Sequence, residues 1–275
     1  MSDTVKDLAA AARQLIDGDA ILGGEFVPRG GTQLPGAPPA PGARATTPPP
    51  RLAGQPMIAP APADGSTPLP LGANMTPEQK RLALDALNAE HVAKCAACVL
   101  SKTRKNIVFG EGSPAAQLVF VGEAPGEDED LSGRPFVGRA GQLLEKMIVA
   151  MGLTRQDVFI CNVLKCRPPG NRAPAPDEVQ ACSPYLFRQL EILAPKAIVT
   201  LGNPATQTLL RTREGITRLR GNWQMLPEHA PGLGGIAVMP TFHPSYVLRS
   251  YTPEVRGMVW SDLQKVMEKL GLKKP

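Results

Sequence analysis

From residue 76 onward the chain switches repeatedly between two hydrophobic periods. "AQLVFVG" (116–122), "DVFICNVL" (157–164), "KAIVTLG" (196–202) and "GIAVMPTFH" (235–243) are short, nearly continuous apolar runs. Apolar runs of this length, bounded by turn residues, predict strands buried on both faces. The segments around them carry helical spacing. "TPEQKRLALDALNAEHVAKC" (76–95) opens with Thr at an N-cap and Pro in the first turn, and "AGQLLEKMIVAMG" (140–152) closes at Gly152. "APDEVQACSPYLFRQLEIL" (175–193), "NPATQTLL" (203–210) and roughly 254–270 complete the set. Strands that alternate with helices predict an α/β fold with a parallel sheet covered on both faces.

The pattern before residue 76 is different. An amphipathic stretch over 4–17, with Val5, Leu8, Ala12, Leu15 and Ile16 on one face, predicts a short helix within a segment 1–20. Pro28 to Pro70 holds 13 of the 30 prolines, which predicts a disordered, extended linker over 21–75. The folded domain is expected over 76–275. The N-terminal helix is either the end of a plain tether or a docking element for a protein partner.

Charge adds a modest constraint. The chain holds 30 Lys+Arg against 25 Asp+Glu. The first 75 residues carry 5 basic and 6 acidic residues, and the rest 25 and 19, so the surplus lies in the C-terminal part. A polyanion partner fits this surplus, and so does a solubilising surface. No segment reads as a signal peptide or a membrane span, so a cytoplasmic protein with reduced thiols is expected.

In parallel sheets of this kind ligands bind at the carboxyl ends of the strands. Those ends hold "GEAPGEDED", then Asn162, then Gly202 and Asn203, then "HPS" from His243 to Ser245. The residues with chemical potential therefore converge on one rim. Five cysteines in a reducing compartment point to a metal site or inert core residues rather than disulfides. Cys95 and Cys98 form a CxxC, and Cys166 and Cys182 flank the loop "RPPGNRAPAP". Four such thiols suit zinc, an iron–sulfur cluster or plain burial. Cys161 lies within a strand and is expected in the core.

Three blocks together carry a resemblance. "GEAPGEDEDLSGRPFVGRAG" (122–141), "NVLKCRPPGNRAPAPDEVQAC" (162–182) and "HPSYVLR" (243–249) resemble the family-4, iron–sulfur type of uracil-DNA glycosylase over about residues 80 to 270. The resemblance implies a three-layer α/β/α sandwich around a central four-stranded parallel sheet. It implies a 4Fe–4S cluster on Cys95, Cys98, Cys166 and Cys182. It also implies hydrolysis of the N-glycosidic bond of deoxyuridine in single- or double-stranded DNA, by a monomer without membrane attachment.

The site roles follow from the same resemblance and from the chemistry of taking a base out of the stack. Phe136 is the expected stacking ring. Asn162 reads the uracil edge, donating to the 4-carbonyl and accepting from the ring N–H, a pattern that cytosine reverses. His243 donates to the 2-carbonyl, where charge develops as the bond breaks. Glu129 matches a pocket carboxylate that positions water, favours the oxocarbenium sugar or crowds the thymine methyl. Glu123 contacts the base through its backbone, and Asn171 lies near the catalytic water. Ala124 stands where classical uracil glycosylases carry a water-activating Asp. The acidic run Glu127 to Asp130 otherwise reads as a solvated loop, and His91 and His229 have no such context. Lys165, Arg167, Arg172 and Arg249 are expected on DNA phosphates, and Val247 and Leu248 as an apolar wedge.

Other classes remain open at this point. A uracil-DNA binding protein without turnover, a polymerase-accessory domain, and a glycosylase for hypoxanthine or ethenocytosine share these features. A branch of the superfamily that stays covalently attached to DNA uses a His in a basic insertion. Here the loop between Cys166 and Cys182 is short and has no His.

Overall fold

A computed structural model describes residues 71–227 and 232–273. The N-terminal helix, the linker up to residue 70 and His229 lie outside the described residues. Thr76 opens helix α1 (Pro77–Leu87) with a reciprocal cap: its hydroxyl accepts from the Gln79 N–H, and its own N–H donates to the Gln79 side chain. A π-turn over Asn88–Val92 then leads to the CxxC.

The sheet contains β1 (Glu111–Gly112), β2 (Leu118–Gly122), β3 (Phe159–Asn162), β4 (Ala197–Leu201), β5 (Gln224–Met225) and β6 (Ala237–Thr241), in the order β1-β3-β2-β4-β6-β5. The four central strands are parallel, as their apolar runs predict, and every residue in them is buried. The expected four strands are joined by two antiparallel edge strands of two residues each. Two residues are too few to carry a period, so the sequence pattern could not announce them.

Alternate residues of each strand enter opposite cores. Val119, Val121 and Ile198 pack with Leu186 and Leu190 of α4 (Pro176–Leu193). Leu118, Phe120 and Val199 pack instead with Leu144 of α3 (Arg139–Ala150) and Leu263 of α8 (Pro253–Leu270). Three layers result. The remaining helices are short: α2 (Glu127–Ser132), α5 (Asn203–Leu210), α6 (Ile216–Leu219) and α7 (Pro244–Arg249). No helix among the described residues is long and apolar enough to cross a membrane.

The acidic run is helix α2 rather than a solvated loop. Its carboxylates sit at the N-terminal end of the helix, where the dipole favours negative charge. Asp130 is buried and accepts from the backbone N–H groups of Lys105 and Asn106. The chain runs from β2 out to β3 and returns to β4 on the other side of β2. That reversal opens a crevice at the carboxyl ends of the strands, where parallel sheets bind ligands.

Candidate active site

Four elements close around this crevice. Asn162 ends β3 in register with Gly122 at the end of β2. A Cβ on Gly122 would fall 2.3 Å from Asn162 Oδ1 and 2.5 Å from Phe136 Cζ. Only glycine permits that approach. Gly202, at φ +87, follows β4, and a Cβ there would meet His243 Cβ at 3.1 Å.

Asn162 is 1% exposed, and its Oδ1 is buried with no hydrogen-bond partner among the described residues. An orphaned buried acceptor costs about 1–3 kcal/mol. Native interiors rarely tolerate that cost away from a functional site.

Phe136 is buried and adopts φ +52, a left-handed conformation uncommon for a bulky side chain. Its loop is tied from both sides. Glu129 Oε1 accepts from the N–H groups of Val137 (2.9 Å) and Gly138 (3.0 Å), and Oε2 accepts from Gly126 N–H (3.0 Å). Arg155 donates to the carbonyls of Phe136 (3.0 Å) and Pro135 (2.6 Å) and pairs with Glu111.

His243 is the N-cap of α7. Its Nδ1 accepts from Ser245 N–H (3.1 Å) and lies 2.8 Å from Ser245 Oγ. Because a backbone N–H can only donate, the neutral ring carries its proton on Nε2. Burial, with the nearby charge of Arg249, lowers the imidazole pKa from 6.5 to about 4. The ring is therefore neutral at physiological pH, with Nε2–H available as a donor. Glu123, half-buried after β2, has its carboxyl pKa raised by burial.

The structure thus brings Glu123, Phe136, Asn162 and His243 to one rim. Lys165, expected on a DNA phosphate, turns inward instead. It is 1% exposed, and its ammonium donates to the Asn162 backbone carbonyl (2.8 Å) and to Gln189 Oε1 (2.6 Å). Val247 is fully buried against the α3 core and cannot serve as a wedge. Tyr246 and Arg249 are the exposed residues of that turn, and Leu248 is half-buried. Arg172 is exposed but paired with buried Glu178, and Arg167 with Glu127. Asn171 is exposed and its Oδ1 accepts from Arg167. Glu129, expected as a pocket carboxylate, has both oxygens engaged by backbone donors. Arg155 and Glu111 were not singled out from the sequence, since no local pattern links them to the Phe136 loop. Ser245 was quoted in "HPS", but its contact with the imidazole is visible only in the fold.

On the opposite side of β3, Cys95, Cys98, Cys166 and Cys182 line one cavity with Arg104 and Tyr185. Donors reach the sulfurs: Arg104 Nη1 to Cys166 (3.3 Å), Lys165 N–H to Cys182 (3.2 Å) and Tyr185 Oη to Cys95 (3.4 Å). Burial raises the Cys98 and Cys166 thiol pKa values and pushes Cys182 up to about 12. No group of three or more His, Cys, Asp or Glu among the described residues is gathered tightly enough to hold a metal ion. Cys161 is buried in β3, as expected for a core residue.

Fold and rim together define an α/β/α protein with an aromatic ring, a buried amide and a neutral imidazole around one crevice at the carboxyl ends of its strands. The family described as the uracil DNA glycosylase superfamily matches residues 109–264, and the chain belongs to it. Among similar proteins is the type-4 uracil-DNA glycosylase of Thermotoga maritima, 49% identical over 181 residues, covering 64% of this chain and 90% of that one. Those of Saccharolobus solfataricus (46% over 192 residues; 68% and 87%) and Archaeoglobus fulgidus (45% over 188 residues; 67% and 92%) are similar over the same domain.

Proposed function

We infer that this chain is a DNA-repair glycosylase that takes deoxyuridine out of DNA, hydrolyses its N-glycosidic bond, and releases uracil to leave an abasic site. The observation that carries the reading is the buried, unpartnered Oδ1 of Asn162 beside Phe136 and His243. Uracil presents a ring N–H donor to that acceptor, and its 4-carbonyl accepts from the same amide. Cytosine presents the reverse, and a closely packed amide cannot turn freely to suit it.

Phe136 supplies the stacking face. Negative charge grows on the 2-carbonyl as the bond to the sugar breaks, and the Nε2–H of neutral His243 stabilises it. Because the imidazole is neutral, its Nε2–H is a very weak acid that donates a hydrogen bond without giving up the proton, and the leaving group departs as an anion. Arg167, Arg172, Leu248 and Arg249 are the remaining candidates for the DNA backbone and the gap left by the flipped nucleotide.

Cys95, Cys98, Cys166 and Cys182 are the residues that would hold a 4Fe–4S cluster. The donor types suit such a group: four thiols line one cavity, with N–H and O–H groups aimed at three of them. Such a cluster would crosslink the segment after α1, the loop after β3 and helix α4, which carry these cysteines.

The test is cleavage of an end-labelled oligonucleotide holding one uracil, followed by alkali. A break at uracil, and none with thymine or hypoxanthine in its place, is expected. A denaturant-resistant protein–DNA band without a break would replace this reading with covalent capture.

A further inference from the structure

We infer that Glu129 and Arg155 are a positioning pair whose function is to hold the Phe136 ring in place, and that Glu129 does not itself act on water or on the sugar. This deepens the proposed function and rests on Phe136 being the stacking ring.

Four observations converge. Phe136 sits at φ +52, which a phenylalanine does not hold by its own preference. The two amides after it are taken by Glu129 Oε1, and the carbonyls of Pro135 and Phe136 by Arg155. Glu129 Oε2 ties the same carboxylate to Gly126 in the loop after β2, so the clamp refers Phe136 to the sheet end that carries the pocket. Glycines make room at both ends of the residue. A Cβ on Gly141 would fall 1.9 Å from the Phe136 carbonyl oxygen, and one on Gly122 would fall 2.5 Å from the ring tip. Backbone, ring and flanking peptides are all over-determined, as a pre-organised stacking surface requires.

A carboxylate that accepts three backbone N–H bonds has its preferred lone pairs committed. Turning it toward a water or an oxocarbenium carbon would release Val137, Gly138 and Gly126 together. Arg155 is itself oriented by Glu111, at the antiparallel edge strand β1, so that its planar fork meets both carbonyls.

The experiment is a double-mutant cycle on uracil excision under single-turnover conditions, using the full chain. The variants are Phe136→Ala, Glu129→Gln and Arg155→Lys, each alone, and the last two in the Phe136→Ala background. Glu129→Gln keeps the shape but cannot accept from both the Gly126 and the Val137–Gly138 donors. Arg155→Lys keeps the charge beside Glu111 but loses the two-carbonyl fork. Each single change is expected to slow excision about tenfold or more, and neither is expected to add more than about twofold once the ring is gone. A structural role alone would lower thermal stability equally in both backgrounds without this loss of additivity in the rate. Full additivity of Glu129→Gln with Phe136→Ala overturns the inference and returns Glu129 to the chemistry. Single variants that excise at the wild-type rate also overturn it. A wild-type chain that excises no uracil overturns the functional reading and this inference with it, which separates the two failures.

Discussion

The rings of Phe136 and His243 face each other with centroids 5.7 Å apart and planes inclined by 32°. One comes from the loop between α2 and α3, the other from the turn after β6, so the pair exists only because β2, β4 and β6 are adjacent in the sheet. A stacking face and a hydrogen-bond donor are thereby brought within reach of one base. His243→Ala should lower the single-turnover excision rate about 10²–10³-fold while leaving DNA affinity close to wild type. The pH profile distinguishes the charge state. With the imidazole pKa at about 4, the donor is neutral above that value, and the rate should stay level as pH falls through 6.5. A rise in rate on acidification through 6.5 would mean that the imidazolium is the donor.

The amide of Asn162 should trade stability against activity. Its Oδ1 is buried without a partner among the described residues, so Asn162→Leu, with the same number of side-chain heavy atoms, removes a desolvated acceptor. The variant should be more stable by about 1 kcal/mol and excise uracil about 10²-fold more slowly or worse. Thermal unfolding and excision kinetics on the same preparation check both signs. A variant that is less stable and inactive would point to a lost structural contact instead.

The four-thiol cavity predicts a metal-dependent fold. Burial drives the free Cys182 thiol up to about 12, so only a bound centre would keep it as thiolate at neutral pH. Cys182→Ser should lose bound iron, lose the visible absorption of an iron–sulfur chromophore, and melt at a lower temperature. Iron and sulfide in equal amounts are expected in the wild type. Zinc in their place would reassign the centre.

Lys165 and Arg249 should separate cleanly in a salt titration. Arg249→Ala should weaken DNA binding and reduce the slope of affinity against salt by about one unit. Lys165→Met should leave that slope unchanged. Its cost should appear in stability, about 1–3 kcal/mol, because the Asn162 carbonyl and Gln189 Oε1 lose their buried donor. A reduced slope for Lys165→Met would place the ammonium at the DNA.

Local patterning by itself determined the four parallel strands, the helices capped at Thr76 and ended at Gly152, and the gathering of Asn162 and His243 at strand ends. It could do so because burial on both faces and helical amphipathicity are written at periods of two and 3.6 residues. The three sequence blocks carried the family, and the fold brings Cys95 and Cys98 to one cavity with Cys166 and Cys182. What only the tertiary structure decided was the direction each side chain takes once elements pack. Lys165 turns inward to Gln189 of α4, although a lysine in a polar loop reads as solvated. Val247 faces the core while Tyr246 beside it faces solvent, a difference of one position on α7. Glu129 closes on backbone amides eight and nine residues away, and Arg155 reaches Pro135 and Phe136 from beyond α3. These contacts join residues with no shared period, so they depend on sheet order and on which donors the fold leaves nearby.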